Sequence, residues 1–199
     1  YIVNQVCGSG IRSVASGFQS IKSGDSKIVI AGGQESMSLA PHAIHLRDGK
    51  KLGDAEIIDT MIKDGLWDAF HGYHMGVTAE NVAEKFQITR EDQDKFALKS
   101  HEKALKAQKE NKFKEEIINF KIKSKNTETY FNKDEHPREG ISLDALSRLK
   151  PVFKKDGTVT AGNASGINDG AAAVTLMSSE EANKRGIKKL VSIKSWASC

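Results

Sequence analysis

Residues 3–10 read VNQVCGSG, and the stretch running from them to Gly33 decides the architecture. The apolar run at residues 1–3 reads as a strand, and Ile11, Val14, Ala15, Phe18 and Ile21 then recur at helical spacing up to a stop at Gly24. KIVIAGG, residues 27–33, reads as a buried strand closed by glycines. Strand, helix and strand in so short a span define an α/β layer. Cys7 sits at the first junction, where a thiol meets the unpaired N–H groups and the positive end of the helix dipole. Both favour the thiolate, which is the nucleophilic form. Gly8 and Gly10 clear side chains from the approach, and the same N–H groups can hold an oxyanion when sulfur attacks an acyl carbon. A buried cysteine that merely packs is the competing explanation, and position alone does not separate the two.

Beyond Ser36 the rhythm changes. HLRDGKKLGD, residues 45–54, is a basic loop punctuated by glycine, and DAEIIDTMIKDG, residues 54–65, reads as a short helix ending at Gly65. Thr78 is expected to cap a helix through about Phe86, and Thr89 with Asp92 has the capping-box pattern for a long polar helix to Lys109. Ile118, Phe120 and Ile122 alternate as a strand does, and SLDALSRLK, residues 142–150, is a short helix stopped by Pro151. This middle region is too charged for the inside of a sheet and reads as an insertion. Small apolar residues return in GINDGAAAVTLMSS, residues 166–179, a loop feeding a buried strand. Ser178 with Glu181 caps a helix ending at Gly186, and KKLVSIKSWA, residues 188–197, follows as another strand.

A chain of 199 residues that is 38% apolar suits a globular domain with a real core. It has no run of about 18 uncharged apolar residues to span a bilayer and no leader for export, so no membrane association is expected. Its two cysteines lie at opposite ends and build no disulfide framework, which points to a reducing, cytoplasmic location. The net charge of +4 comes from lysines scattered among acids between residues 95 and 125, the pattern of a solvated helix face. That argues against nucleic acid as a partner and suits an anionic small molecule. HGYH, residues 71–74, sets two imidazoles close together, but no cysteine or carboxylate cluster completes a metal site. CGSGIRSVASG, residues 7–17, lacks the third glycine of a dinucleotide fingerprint. Neither metal nor cofactor is expected.

Four stretches taken together carry a resemblance. VNQVCGSG, AGGQESMS at 31–38, DGLWDAFHGYHMGVTAENVA at 64–83 and TVTAGNASGINDGAAA at 158–173 resemble the thiolase family, in the family's order and across essentially the whole chain. GYHMG with the basic loop before it is similar to the family's biosynthetic, short-chain branch. The resemblance implies an α/β fold, a thiolase-like αβαβα layered core, incomplete here, with an inserted α+β loop domain. Residues 1–36 would belong to the N-terminal core and 37–167 to the loop domain. Residues 168–190 would return to the first core and 191–199 begin the C-terminal one. It further implies that Cys7 takes an acetyl group from acetyl-CoA as a thioester. A second acetyl-CoA, deprotonated at its methyl carbon, then attacks to give acetoacetyl-CoA and free CoA, and thiolysis is the reverse.

By the same resemblance Leu66, His74 and Met75 fall on positions lining the pantetheine and acyl pocket, and Arg138, Phe153, Ala161 and Ser165 fall on CoA-binding positions. Arg138 has the chemistry to meet a phosphate, and Ser165 in its glycine-flanked loop to bond a pantetheine amide. The loop around His42, His45, Arg47, Lys50 and Lys51 resembles the branch's tetramerisation loop, so a homotetramer of the full-length protein is implied.

The family also uses a histidine in a Gly-His-Pro motif and a second cysteine before a glycine run. EHPRE at 135–139 lacks the glycine and lies in the insertion, and Cys199 has no glycines after it, so neither is assigned those roles. The expectation is the middle half of a longer protein, inactive as a piece and prone to expose apolar sheet edges. A cysteine hydrolase with His74 as base, and a CoA-binding protein without catalysis, stay open as alternatives.

Overall fold

The computed structural model describes residues 1–124 and 127–198 of the chain. A 3-10 turn, Val6–Gly8, leads into α1 (Ser9–Ser23), followed by β1 (Ile28–Glu35), β2 (His42–Ile44), β3 (Ile57–Asp59) and a π-helical turn, Met61–Leu66. Next come β4 (Trp67–Asp68), β5 (Tyr73–His74), α2 (Met75–Lys85), α3 (Arg90–Lys109), β6 (Phe120–Ser124) and β7 (Thr127–Phe131). The chain continues through α4 (Leu143–Ser147), β8 (Gly170–Met177) and α5 (Ser179–Lys184). It divides into two compact units, one of Tyr1–Leu66 with Ile167–Cys199 and one of Trp67–Gly166.

In the first unit β1 and β8 pair antiparallel, from Ile28 opposite Met177 to Glu35 opposite Gly170, and α1 packs against them. The contact is close because the helix offers small residues there, Ala15 and Gly17. A Cβ on Gly17 would stand 2.8 Å from Leu176 Cδ1 and 3.0 Å from Val29 Cγ1, so near-bare backbone meets the sheet. Ser13 Oγ donates to the Gly32 carbonyl at 2.7 Å and adds a polar tie. Gly24 closes the helix in the left-handed region at φ 85°, its N–H bonded to Ile21 O.

Several sequence expectations change here for one physical reason. A strand exists only where a neighbour completes its hydrogen bonds, and one helix covers only one face of a two-stranded ladder. Residues 1–3 and 188–197 therefore carry no ladder among the described residues, and Tyr1, Ile2, Leu190 and Val191 stand exposed. The strands expected to be buried are largely open, with Ile30 at 76% and Val174 at 48% exposure. Ile11, at 77%, points off the apolar stripe of α1. The helix expected over residues 54–65 is split, because Ile57, Ile58 and Asp59 find partners in β2 and only the remainder coils. Ser178 caps α5 through the Glu181 N–H, and Gly186 follows the helix at φ 66°, as the pattern predicts.

The second unit is built on α2, α3 and α4. The predicted capping box is present at α3, where Thr89 accepts from Asp92 N and the Asp92 carboxylate accepts from Thr89 N. Arg90, the first residue of that helix, reaches α4 and donates through Nη2 to the carbonyls of Leu146 and Leu149, at 2.7 and 2.9 Å. Leu146, Val159 and Ala83 are its buried apolar residues. Thr78 is not a cap: α2 starts three residues earlier, His74 takes the N-cap position, and the buried Thr78 hydroxyl has no partner among the described residues.

Candidate functional site

Cys7 is exposed and unpaired in the turn that feeds α1. Its neighbour Val6 has φ 50°, a left-handed conformation that costs a β-branched residue dearly. The turn is held by local bonds: Gly8 N to Gln5 O at 2.9 Å, Val6 N to Asn4 Oδ1 at 2.9 Å, and Ser9 Oγ, which accepts from Gln5 N and donates to Val6 O at 2.7 Å. The N-cap of α1 is Gly8, which has no side chain to accept from the first-turn N–H groups. The sulfur thus stands at the positive end of α1, where no side chain caps the helix, although the N–H groups of Gly8 and Ser9 are already bonded to the carbonyls of Gln5 and Val6.

Beside this turn the helix lies against glycine. A Cβ on Gly33 would sit 3.3 Å from Gly10 Cα, and an open cleft of about 540 Å³ runs along Gly32, Gly33, Gln34, Ala171, Ala172 and Ala173. The loops at that end of the ladder are tied by Ser38, whose N–H and hydroxyl donate to the Asp169 carboxylate at 2.9 and 2.5 Å. The Ser38 hydroxyl and then its N–H hold the Asp169 carboxyl below its ordinary range. Leu66 ends the π turn of this unit and is half-buried.

In the second unit His74 and Phe153 meet. Their rings stack at 4.8 Å between centroids, 20° apart, and Gly76 leaves the space, since a Cβ there would collide with the Phe153 ring. His74 Nδ1 accepts from Gly76 N at 2.9 Å, so the neutral ring keeps its proton on Nε2 and presents that edge as a donor. This disfavours His74 as a general base for a hydrolase, because its basic nitrogen is already committed to the helix. Met75 follows on the first turn of α2, at 38% exposure. The other imidazole of HGYH goes elsewhere: His71 Nδ1 bonds Asp68 Oδ2 at 2.8 Å and the ring stacks on Tyr73. Among the described residues no group of three or more His, Cys, Asp or Glu side chains converges.

Ala161 and Ser165 lie exposed on one loop whose base is deeply anchored. Glu80 of α2, 4% exposed, accepts from the Thr158 and Val159 N–H groups and the Thr158 hydroxyl at 2.8–2.9 Å. Asp94 of α3, 3% exposed, accepts from Arg90 Nε at 2.8 Å and Asn163 Nδ2 at 3.0 Å, while Asn163 Oδ1 accepts from Thr160 N at 2.8 Å. Burial raises the Glu80 carboxyl, but the donors of Val159 and Thr158 outweigh it and hold the group below its usual value. Arg138 stands apart from this loop, exposed, with its backbone N–H on His101 Nδ1 at 3.2 Å.

The structure therefore unites His74 with Phe153, and Ala161 with Ser165, and places Arg138 beside α3. Cys7 and Leu66 belong to the first unit. Cys199, already set aside as a second catalytic cysteine, lies outside the described residues. Sequence reasoning missed Glu80, Asp94, Asn163 and Gly76. The available signal was weak: an acid four residues after Arg90 reads as a surface pair, and nothing in an amphipathic pattern marks a buried carboxylate.

Comparison with known proteins follows the same lines. Over 195 residues the chain is 58% identical to an acetyl-CoA acetyltransferase of Rhizobium meliloti (strain 1021), covering 98% of this chain and 50% of that protein. It is 52% identical to a cytosolic acetyl-CoA acetyltransferase of Rattus norvegicus, covering 96% of this chain and 49% of that one. The solved structure of acetyl-CoA acetyltransferase from Syntrophomonas wolfei superposes with a TM-score of 0.88 at 46% identity, over 94% of this chain and 47% of that one. The chain thus spans about half the length of the curated relatives it matches. The likeness to the solved structure bears out the expected thiolase-like α/β fold, of which the described residues carry α1 on the β1–β8 ladder. No helix among the described residues is long and apolar enough to cross a membrane. The thiolase N-terminal domain matches residues 1–180, and with a match of that extent the chain belongs to the thiolase family.

Proposed function

We propose that the chain is the nucleophile-bearing half of an acetyl-CoA C-acetyltransferase, with Cys7 as the acyl carrier. The observation that supports this most directly is the exposed Cys7 at an uncapped helix N-terminus behind a left-handed Val6. The Cys7 thiolate attacks the thioester carbon of acetyl-CoA, a new S–C bond forms, and the CoA thiolate leaves and takes a proton. In the second half-reaction a second acetyl-CoA loses a methyl proton. Its carbanion forms a C–C bond to the acetyl carbon, and the Cys7 thiolate is released with acetoacetyl-CoA. The reverse direction is thiolysis by CoA, and covalent transfer of this kind gives ping-pong kinetics.

Leu66, His74, Met75, Arg138, Phe153, Ala161 and Ser165 bind the CoA thioester. The stacked His74–Phe153 pair supports an apolar wall with one N–H donor, and the exposed Ala161 and Ser165 support a loop open to a pantetheine arm. CoA thioesters are substrates, and the reaction calls for no separate cofactor or metal. The proton transfers of the second half-reaction come from outside these 199 residues, which hold no Gly-His-Pro motif. A homotetramer of the full-length protein and a cytoplasmic location complete the proposal, supported by the basic 45–54 loop and by the rat relative's cytosolic form.

Iodoacetamide labelling of Cys7 tests the reading. Protection by acetyl-CoA, but not by peptides or simple esters, is expected, as is an acetyl adduct on Cys7 in the intact mass that Cys7→Ser abolishes. Equal protection by simple esters would favour a hydrolase. Rapid thiolysis of acetoacetyl-CoA by the 199-residue chain alone would overturn the assignment of the missing proton transfers.

A further inference from the structure

The loop over residues 157–165 carries Ala161 and Ser165, and apolar contact pins it at two points only: Val159 is buried, and Gly162 lies so close to Leu146 and Leu149 that a Cβ there would strike both. Val159 and Thr160 are its buried residues, and Ala161, Ala164 and Ser165 are exposed. Beyond these contacts and its own backbone turns, it is tied by two carboxylates on two different helices. Glu80 gathers two consecutive backbone N–H groups and one hydroxyl, and Gly157 leaves no room for a Cβ beside the Glu80 oxygens. Asp94 grips Asn163, which in turn closes the turn onto Thr160 N and the Thr158 carbonyl. Gln93 Nε2 adds a bond to the Thr158 hydroxyl at 2.9 Å.

Neutral or apolar side chains could fill these sites with less desolvation, because taking a carboxylate out of water is costly even when donors satisfy it. What the charges add is direction: charge-assisted bonds are short and set the path of the backbone two or three residues before Ala161, at Thr158 and Val159, and two before Ser165, at Asn163. We propose that Glu80 and Asp94 are positioning residues for CoA, buried carboxylates that set the 157–165 loop so that Ala161 and Ser165 meet the pantetheine arm. This rests on the reading that the loop binds CoA.

The test uses the full chain, CoA itself as titrant in calorimetry, and iodoacetamide on Cys7 as a probe that does not use the loop. Glu80→Gln keeps the size but removes the charge and points an NH2 group at backbone donors. It is expected to weaken CoA about tenfold or more while leaving the Cys7 alkylation rate within about twofold of wild type. Glu80→Asp restores the charge at shorter reach and is expected to recover part of the affinity. If Glu80→Gln gives no cooperative melt, Thr158→Val decides, with CoA weakened roughly threefold expected as one bond to the carboxylate is lost. A Glu80→Gln protein that melts earlier but binds CoA as wild type does overturns the positioning role and leaves the proposed function standing. Wild type that binds no CoA overturns both.

Discussion

The two units hold their candidate residues by different means. In the first, glycine allows close approach: Gly17 lets α1 settle on the Val29 and Leu176 side chains, and Gly33 meets the Gly10 backbone beside the Cys7 turn. In the second, buried charge meets backbone donors, Glu80 under the Thr158 and Val159 N–H groups and Asp94 under Asn163. The first arrangement fails by steric intrusion and tolerates changes of charge. The second is open to intrusion too, at Gly76, Gly157 and Gly162, and fails in addition when a donor or acceptor is lost.

The largest effect that would break this contrast is at Glu80. Glu80→Ala leaves two buried N–H groups and a hydroxyl without their acceptor, and about 3 kcal/mol of stability is expected to go, read from urea midpoints. The same carboxylate gives its unit an acid limit. Its folded pKa lies below the unfolded one, so its contribution is complete above the ordinary Glu value of about 4.3 and is lost as pH falls through the folded value. Midpoints measured at falling pH should drop there in wild type and flatten in Glu80→Gln. If the slope is the same in both, the carboxylate is not the acid-sensitive element.

A smaller effect is expected from Gly32→Ala in the other unit. The new Cβ would press on the Ala172 carbonyl oxygen, a backbone atom that cannot swing aside, and the ladder must open locally at a cost of about 2 kcal/mol. Raised hydrogen exchange confined to β1 and β8 would show it, and a variant as stable as wild type would contradict the close-approach picture. The smallest belongs to the cap of α3: Thr89→Ala loses the Thr89–Asp92 box and about 1 kcal/mol, followed by circular dichroism during urea titration.

Local punctuation was legible in the sequence. Thr89 with Asp92, Ser178 with Glu181 and Gly24 each act through atoms a few residues away, so their patterns carry the whole mechanism. Cys7 at the head of a helix was legible for the same reason. Strands at residues 1–3 and 188–197 were not, because pairing is a property of a neighbour that the pattern does not contain. His74 as a cap escaped notice since imidazole is not a usual N-cap acceptor, and Thr78 is. Glu80 and Asp94 were hidden more deeply. An acid on a polar helix reads as solvated, and only the return of residues 158–163, far along the chain, takes each from water.

Val6 has a consequence for how this protein can change. A side chain forked at Cβ is held where glycine would rest easily, so the fold carries a standing cost of order 1–3 kcal/mol one residue before its sulfur. Selection for robustness alone would relieve that tension with Val6→Gly, and the bend would then wander. Under the acyl-carrier role proposed for Cys7, position 6 is where durability and turnover would pull apart.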